Sequence, residues 1–466
     1  MPKKRPNILF FFTDDQCFDT LNSLGNEDIV TPHMDALARN GTVFTHAYIM
    51  GGSCPAVCMP SRAMLMTGRT LYHLKEQGQG IPEGHILLGE TLQEAGYTTF
   101  GTGKWHNGTP SYARSFTEGA EIFFGGMEDH WNVPACRFDP TGTYDVVSPM
   151  VRNPFYSNEV TYRKYDHITP GKHSSELFCE AAIDFLKRYE SEAPFFMYIS
   201  FMAPHDPRTM PTEYLEMYDP EKIPLPRNFM PEHPFDNGEL TVRDEKLAAW
   251  PRTPEEIRRH LAEYYAMITH ADAQMGRVLE ALNETGHAEN TLIVFAGDNG
   301  LAIGRHGLMG KQNLYDHSVH VPLMMSGPGI PKGERRDAYC YLLDIYPTLC
   351  ELIGVPIPNS VEGRSLVPAM RDAQQTIRDT LLFAYKDVQR GVQDRQYKLI
   401  EYVVAGKRTT QLFDLHEDPW ETNNLACDPN YAPHLKRLRR ELRRWREELG
   451  DTQEQGDRFW GGYDTA

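Results

Sequence analysis

Short apolar runs of strand length alternate through most of the chain with stretches whose apolar residues recur at helical spacing. Asn7 to Phe12 has the pattern of a buried strand and is closed by Thr13-Asp14-Asp15. A helix is expected from Pro32 to Arg39, with Thr31 as cap, Pro32 in the first position and Asn40-Gly41 as its stop. Thr42 to Tyr48 reads as a strand, Leu88 to Ala95 as a helix, and Thr98 to Gly101 as a short strand running out at Lys104. Ser174 to Tyr189 is amphipathic, with Leu177, Phe178, Ala181, Ala182, Phe185 and Leu186 on one face. Phe195 to Phe201 is a buried strand that ends at Pro204-His205. Pro254 to Leu282 is a long helix opened by a capping box, Thr253 with Glu256. Thr291 to Phe295, ending at Asp298-Asn299, and Val321 to Met325 are further strands.

This alternation predicts an α/β fold, a mostly parallel sheet with helices on both faces. Asp14-Asp15, Lys104, His205 and Asp298-Asn299 all fall just past a strand's carboxyl end, where open α/β sheets hold their ligands. Two irregular stretches, about 109–172 and 207–251, are long enough to wall a cleft, though packed surface loops would read the same way. After Ala369 the pattern changes. Leu381 to Tyr385, Tyr397 to Val403 and Gln411 to Leu415 look like antiparallel strands, and Tyr431 to Leu449 like a charged helix. We therefore expect a large domain at 1–372 and a smaller subdomain, antiparallel sheet plus helix, at 373–466.

Composition narrows the partners. With 40% hydrophobic and 24% charged residues the chain has the make-up of a globular protein, and its formal charge of −17 argues against nucleic acid. The arginines of the last helix are interleaved with Glu441, Glu447 and Glu448, which makes a solvated face and not a basic patch. An anionic substrate is still compatible if Lys, Arg and metal charge are concentrated in one pocket. The eight cysteines are scattered and form no dense framework, so mostly reduced thiols are expected, with a disulfide or two left open. No stretch is long enough to span a membrane. The basic start Met1-Pro2-Lys3-Lys4-Arg5 leads into an apolar run too short for a signal peptide, so the protein acts in the cytoplasm or a signal has already been removed.

The most informative run is Cys58-Met59-Pro60-Ser61-Arg62-Ala63-Met64-Leu65-Met66-Thr67-Gly68-Arg69. Pro60 suits a helix's first turn and Gly68 its end, which sets Cys58 just before a helix N-terminus. There, free N–H groups and the helix dipole favour an oxyanion, and the Arg62 fork matches a sulfate or phosphate. Elsewhere Asp14, Asp15, Asp298 and Asn299 offer three carboxylates and an amide oxygen, a hard donor set for Ca²⁺ or Mg²⁺ and not for zinc.

The Cys58 run resembles the signature of type I sulfatases, Cys-x-Pro-Ser-Arg followed by Thr-Gly-Arg. Gly103-Lys104-Trp105-His106, Ala203-Pro204-His205, Gly297-Asp298-Asn299-Gly300 and Gly310-Lys311 resemble further segments of that family in the same order. Gln411 to Leu415, with Asp418 and Glu421, resembles its C-terminal subdomain. The resemblance implies the alkaline-phosphatase-like fold and a Cys58 oxidised by a maturation enzyme to formylglycine. It also implies one divalent ion, usually calcium, held by Asp14, Asp15, Asp298 and Asn299 together with residue 58. In the reaction so implied, one hydroxyl of the hydrated aldehyde attacks sulfur and Asp298 accepts its proton. His205, helped by Lys311, protonates the leaving alcohol, and His106 deprotonates the second hydroxyl so that sulfate departs. Arg62, Lys104, Lys311 and the metal stabilise the charge on the sulfuryl oxygens.

The leaving group is read from weaker signals. His73, Trp105, Arg208, Arg305 and His306 lie near these motifs or in the insertions, as do His167 and His173. Aromatic and arginine-rich clefts suit sulfated sugars, so a sulfated polysaccharide or oligosaccharide is the expected substrate. Aryl or choline sulfates come second, and phosphonate monoesters or phosphodiesters are the alternative within the same superfamily.

Overall fold

In a computed structural model, residues 4–151, 157–451, 457–461 and 463 are described. Met1, Pro2 and Lys3 of the basic start lie outside them. An eight-stranded sheet forms the frame. Its order is Glu334–Arg336, Gly41–Phe44, Leu323–Ser326, Thr291–Gly297, Asn7–Thr13, Phe195–Ser200, Thr98–Lys104 and Glu118–Phe123. The five strands from Thr291–Gly297 to Glu118–Phe123 are mutually parallel, and Leu323–Ser326 runs against both neighbours. At the centre Phe10 lies between Val294 and Tyr198.

The central strand shows why the sheet has two cores. Its side chains alternate, so Ile8, Phe10 and Phe12 enter one apolar cluster and Leu9 and Phe11 the other. The second cluster is filled by the helices Pro32–Asn40, Ser174–Arg188 and Pro254–Glu284, which meet at residues such as Met34, Phe178 and Met275. The first is filled by Cys58–Thr67, Leu88–Glu94 and Ile345–Ile353, and it continues into the C-terminal sheet through Leu381, Leu399 and Leu412. Burial on both faces explains the near-continuous apolar strands.

The C-terminal sheet comprises Leu381–Tyr385, Gln389–Gln393, Tyr397–Val404 and Lys407–Asp414, antiparallel to one another, and a short parallel edge strand, Gly51–Gly52, with the helix Ala432–Leu449 against it. Gln389–Gln393 was not expected as a strand. Its Gln389, Arg390 and Gln393 are buried, and hydrogen bonds to Asn237 O, Asp451 and Tyr48 replace apolar packing. The expected Thr42–Tyr48 strand is broken in two, because after Phe44 the chain switches partner and Ala47–Tyr48 pairs with Cys340–Tyr341. The irregular stretch 109–172 also holds a helix, Thr109–Ser115, and a hairpin, Val147–Val151 with Val160–Lys164. All eight cysteines are free thiols, and seven are buried. Among the described residues no helix is long and apolar enough to cross a membrane.

Gly51–Gly52 runs along the C-terminal sheet as its edge, parallel to Leu381–Tyr385, seven residues before Cys58. Gly51 has φ +98°, and a Cβ there would lie 2.1 Å from the Ala384 carbonyl oxygen. Replacing Gly51 by Ala must therefore strain the backbone and push the two strands apart. Thermal denaturation of Gly51→Ala should show a loss of about 2 kcal/mol or more, a fall in Tm of several degrees.

Candidate active site

Cys58 is the first residue of the helix Cys58–Thr67, and Gly68 ends that helix in the left-handed conformation with its N–H on Met64 O. One helix turn on, Arg62 is fully buried and faces the strand ends. Its Nε donates to Asp298 Oδ2 (2.8 Å), its second nitrogen lies 2.8 Å from the same oxygen, and NH1 donates to Lys104 O and Ser200 Oγ (2.5 Å). Its fork is thus turned on Asp298 and the strand ends.

Three carboxylates meet here because parallel neighbouring strands end side by side. Asp14 and Asp15 follow the strand Asn7–Thr13, and Asp298 follows Thr291–Gly297, whose Gly297 is in register with Thr13. Asp15 sits at φ +66°, a strained conformation that places its N–H on Asp298 Oδ1 (3.0 Å). Lys104 Nζ donates to Asp14 Oδ2 and lies 3.6 Å from Cys58 Sγ; Lys311 Nζ donates to Asp15 Oδ1 (2.5 Å). His205 Nε2 is 3.7 Å from Asp15 Oδ2, and its Nδ1 donates to Asp206 O (2.7 Å). His106, another residue at positive φ, points Nδ1 at Cys58 Sγ (3.4 Å). All the expected catalytic and metal residues are thereby gathered in one place.

Burial sets the protonation states. It pushes Asp14 up, but Lys104, His205 and Arg62 pull harder, and the carboxyl ends well below the usual range. Burial and the neighbouring charge of Asp14 drive Asp298 the other way, well above it. Burial and the cations Lys104 and Arg62 hold His106 far below the ordinary histidine range, so it is a neutral base at pH 7. Lys311 is disfavoured as a cation by burial, yet Asp15 and its neighbours keep it firmly protonated. Burial pushes the Cys58 thiol up to about 11, which leaves almost no thiolate at neutral pH.

The donor set fits a hard divalent cation. Asp14 Oδ1 and Asn299 Oδ1 are buried with no hydrogen-bond partner. Ligand atoms of Asp14, Asp15 and His205, and of Asp14, Cys58 and Asp298, lie within 4.8 Å of one another. Oxygen donors dominate, as calcium and magnesium require.

The expected substrate contacts are placed differently. Trp105 is 1% exposed, donates to Ser111 Oγ and packs edge-on to Tyr112, Phe116 and Tyr198, so it is core and presents no face to a ligand. His306 is stacked on Tyr315 with Nε2 at Glu421 O, and His73 is bound to Glu362 (2.6 Å). His167 lies between Asp166 and Glu121, and His173 caps the Ser174–Arg188 helix. Arg305 pairs with Asp19 (2.7 Å) instead of turning to the carboxylate cluster. Arg208 bonds His260 and lies over the ring of Tyr264 (6.0 Å), whose hydroxyl donates to Asp15 O, while its Nε and NH2 are buried with no hydrogen-bond partner. Sequence reasoning missed Ser200, Asp206 and Asp244. Ser200 could have been found as the last residue of the strand before His205. Asp244, which orients Gln312 beside Lys311 (2.7 Å), sits in an irregular stretch with no pattern to mark it.

A model of the sulfatase family matches residues 6–355, and one of the C-terminal region of N-sulphoglucosamine sulphohydrolases matches 304–448. An ulvan-active sulfatase of Formosa agariphila is 29% identical over 466 residues, covering 96% of this chain and 82% of its own. A phosphonate monoester hydrolase of Agrobacterium radiobacter superimposes with a TM-score of 0.75 at 24% identity over 96% of each chain. A protein solved with its substrate D-glucosamine-2-N,6-O-disulfate does so with a TM-score of 0.74 at 22% identity, over 97% of this chain and 99% of its own. At these identities the two structural likenesses establish the fold.

Ser200 gives a test of the geometry itself. Its hydroxyl accepts from the guanidinium that holds Asp298, so Ser200→Ala removes a charge-assisted hydrogen bond without touching the reacting atoms. The variant should fold and lose about tenfold in kcat, and steady-state rates on a nitrophenyl sulfate will show it.

Proposed function

The chain belongs to the sulfatase family and is a sulfuric ester hydrolase, and we propose that it hydrolyses a sulfated oligosaccharide or polysaccharide with a formylglycine made from Cys58 and one calcium ion. The observation that carries this reading is the convergence of Cys58 with Lys104, His106 and the carboxylate cluster. A buried neutral thiol is a poor nucleophile, so residue 58 needs conversion before it can serve. As formylglycine it would supply a hydrated aldehyde, with one hydroxyl to attack sulfur and a second to release the sulfate. Asp14, Asp15, Asp298, Asn299 and residue 58 would hold the ion, which supplies Lewis-acid charge next to the sulfuryl oxygens.

The side chains divide the remaining work. Arg62, Lys104 and Lys311 already balance the charges of Asp14, Asp15 and Asp298, so a divalent ion leaves the cluster positive and attractive to a sulfate monoester. Lys104 and Lys311 each keep N–H groups for the sulfuryl oxygens. Asp298, with its raised pKa, is poised to take the nucleophile's proton. His106, neutral and 3.4 Å from Sγ, serves as the base of the second half. His205 is fixed through Nδ1, which leaves Nε2 to carry the proton for the leaving alcohol. Arg208 supports an anionic or hydroxyl-rich leaving group through its two unpartnered nitrogens.

For the sugar, the support is the ulvan-active relative and the fold neighbour solved with a disulfated glucosamine. The phosphonate monoester hydrolase neighbour favours a second reading, phosphonate monoester or phosphodiester cleavage in the same oxyanion pocket. Rates on a panel of sulfated saccharides against a phosphodiester separate the two. We expect turnover of at least one saccharide far above the diester.

In active enzyme, mass spectrometry of the peptide holding residue 58 should show aldehyde in place of thiol, and chelation should abolish turnover until calcium or magnesium is restored. Full activity with unmodified Cys58, or indifference to chelation, refutes this chemistry. His205→Ala should slow sugar sulfates by about a hundredfold or more yet barely change an activated nitrophenyl sulfate, whose leaving group needs no proton. Equal losses on both would make Lys311 the acid.

A further inference from the structure

A second cleft, of about 550 Å³, opens between the edge of the main sheet and the C-terminal sheet. Cys58, Lys104, His106, His205 and Lys311 do not line it. The segment from Leu301 to Lys311 separates the two sites: Arg305 turns into this cleft, and Lys311 into the carboxylate cluster.

Its walls are aromatic and its floor is polar. Phe18 and Trp420, both partly exposed, line it, Phe18 with one face on His320; Tyr48 and Tyr339 also border it but are each 1% exposed and belong to the core. Asn228 Oδ1, Gln393 Oε1 and His317 Nε2 are buried there with no hydrogen-bond partner. Asn228 and Gln393 use their amide N–H groups on Trp420 O and on the hydroxyls of Tyr48 and Tyr339. Their oxygens are therefore free to accept. Asp316 and Glu421 are held by Lys398 at 2.6 and 2.7 Å. At the rim, Arg335 donates to Ser23 O and has no carboxylate partner among the described residues, whereas Arg395 lies over the Tyr339 ring (4.5 Å) and is paired with Asp337 (3.5 Å).

A ligand matching this cleft offers hydroxyl donors to the floor, an apolar face to Phe18 and Trp420 and an anion to Arg335. We propose that the cleft is a non-catalytic binding site for a sulfated sugar, which anchors a polymeric substrate while another of its esters is cleaved. This rests on the reading of the substrate as a sulfated saccharide.

The test uses full-length enzyme carrying Cys58→Ala, which binds without turnover, and an ulvan oligosaccharide long enough to reach both sites. Adding Arg335→Ala and Trp420→Ala at the rim should weaken calorimetric binding of that oligosaccharide about tenfold. A desulfated oligosaccharide should bind both forms weakly and equally. In enzyme with Cys58 intact, the same rim substitutions should leave nitrophenyl sulfate turnover unchanged, which also shows that the fold is intact. Unchanged affinity for the sulfated oligosaccharide, or none in the parent, overturns the second site. Failure of every saccharide in the turnover panel, with nitrophenyl sulfate still hydrolysed, overturns instead the reading it rests on.

Discussion

Three carboxylates and three cations share one water-excluded volume at the carboxyl ends of the central strands, and the rest of the molecule is arranged to make that tolerable. Asp14, Asp15, Asp298, Arg62, Lys104 and Lys311 are each no more than 3% exposed. Charges so deeply buried are stable only when each is paired and hydrogen-bonded, because removing one partner strands the other without solvent. Arg62 answers that demand most fully. From a single helix position it ties Asp298 to the end of the Thr98–Lys104 strand through Lys104 O and to the Phe195–Ser200 strand through Ser200. The Cys58 helix cannot shift without unpairing it.

Much of this was legible because the frame is repetitive. Asn7–Thr13, Phe195–Ser200 and Thr291–Gly297 are buried on both faces, so they announce themselves as apolar runs, and the polar residue after each run marks the ligand-binding edge. The long helix was equally plain from Thr253, Glu256 and its periodic stripe, and the structure confirms Thr253 as its cap. Gln389–Gln393 was hidden for the opposite reason. A strand whose buried side chains are satisfied by hydrogen bonds carries no hydrophobic signal, and only the tertiary partners Asp451, Asn237 and Tyr48 reveal it.

The site divides along the same line. Residues expected next to strand ends are brought together by the fold; those chosen for their aromatic or basic character are mostly held elsewhere. Trp105 lies between two site residues in sequence, but adjacent residues at a strand end face opposite ways, and its ring is drawn into the core while Lys104 reaches Cys58. Arg305 and His306 were plausible as substrate contacts because Lys311 follows closely. The loop between them folds back on itself, with Gly304 N on Leu308 O (2.7 Å), so proximity in sequence does not carry them to the same cleft.

That loop also explains how a chain of charge −17 can serve an anionic ester. Acidity over the surface does not decide what enters the site, since exposed charges beyond about 10 Å are largely screened at moderate ionic strength. Inside, the balance is local. Lys311 and Lys104 approach from different segments and meet Asp15 and Asp14, so neither of these two lysines is left without a counter-charge before substrate arrives. A divalent ion held by these carboxylates would make the cluster positive. The same arrangement disfavours the free thiol, which burial keeps protonated beside cations it cannot use. A nucleophile that is neutral at rest and loses its proton to a nearby carboxylate of raised pKa suits this cluster better than one that must be ionised beforehand, and in the proposed reaction Asp298 would take that proton.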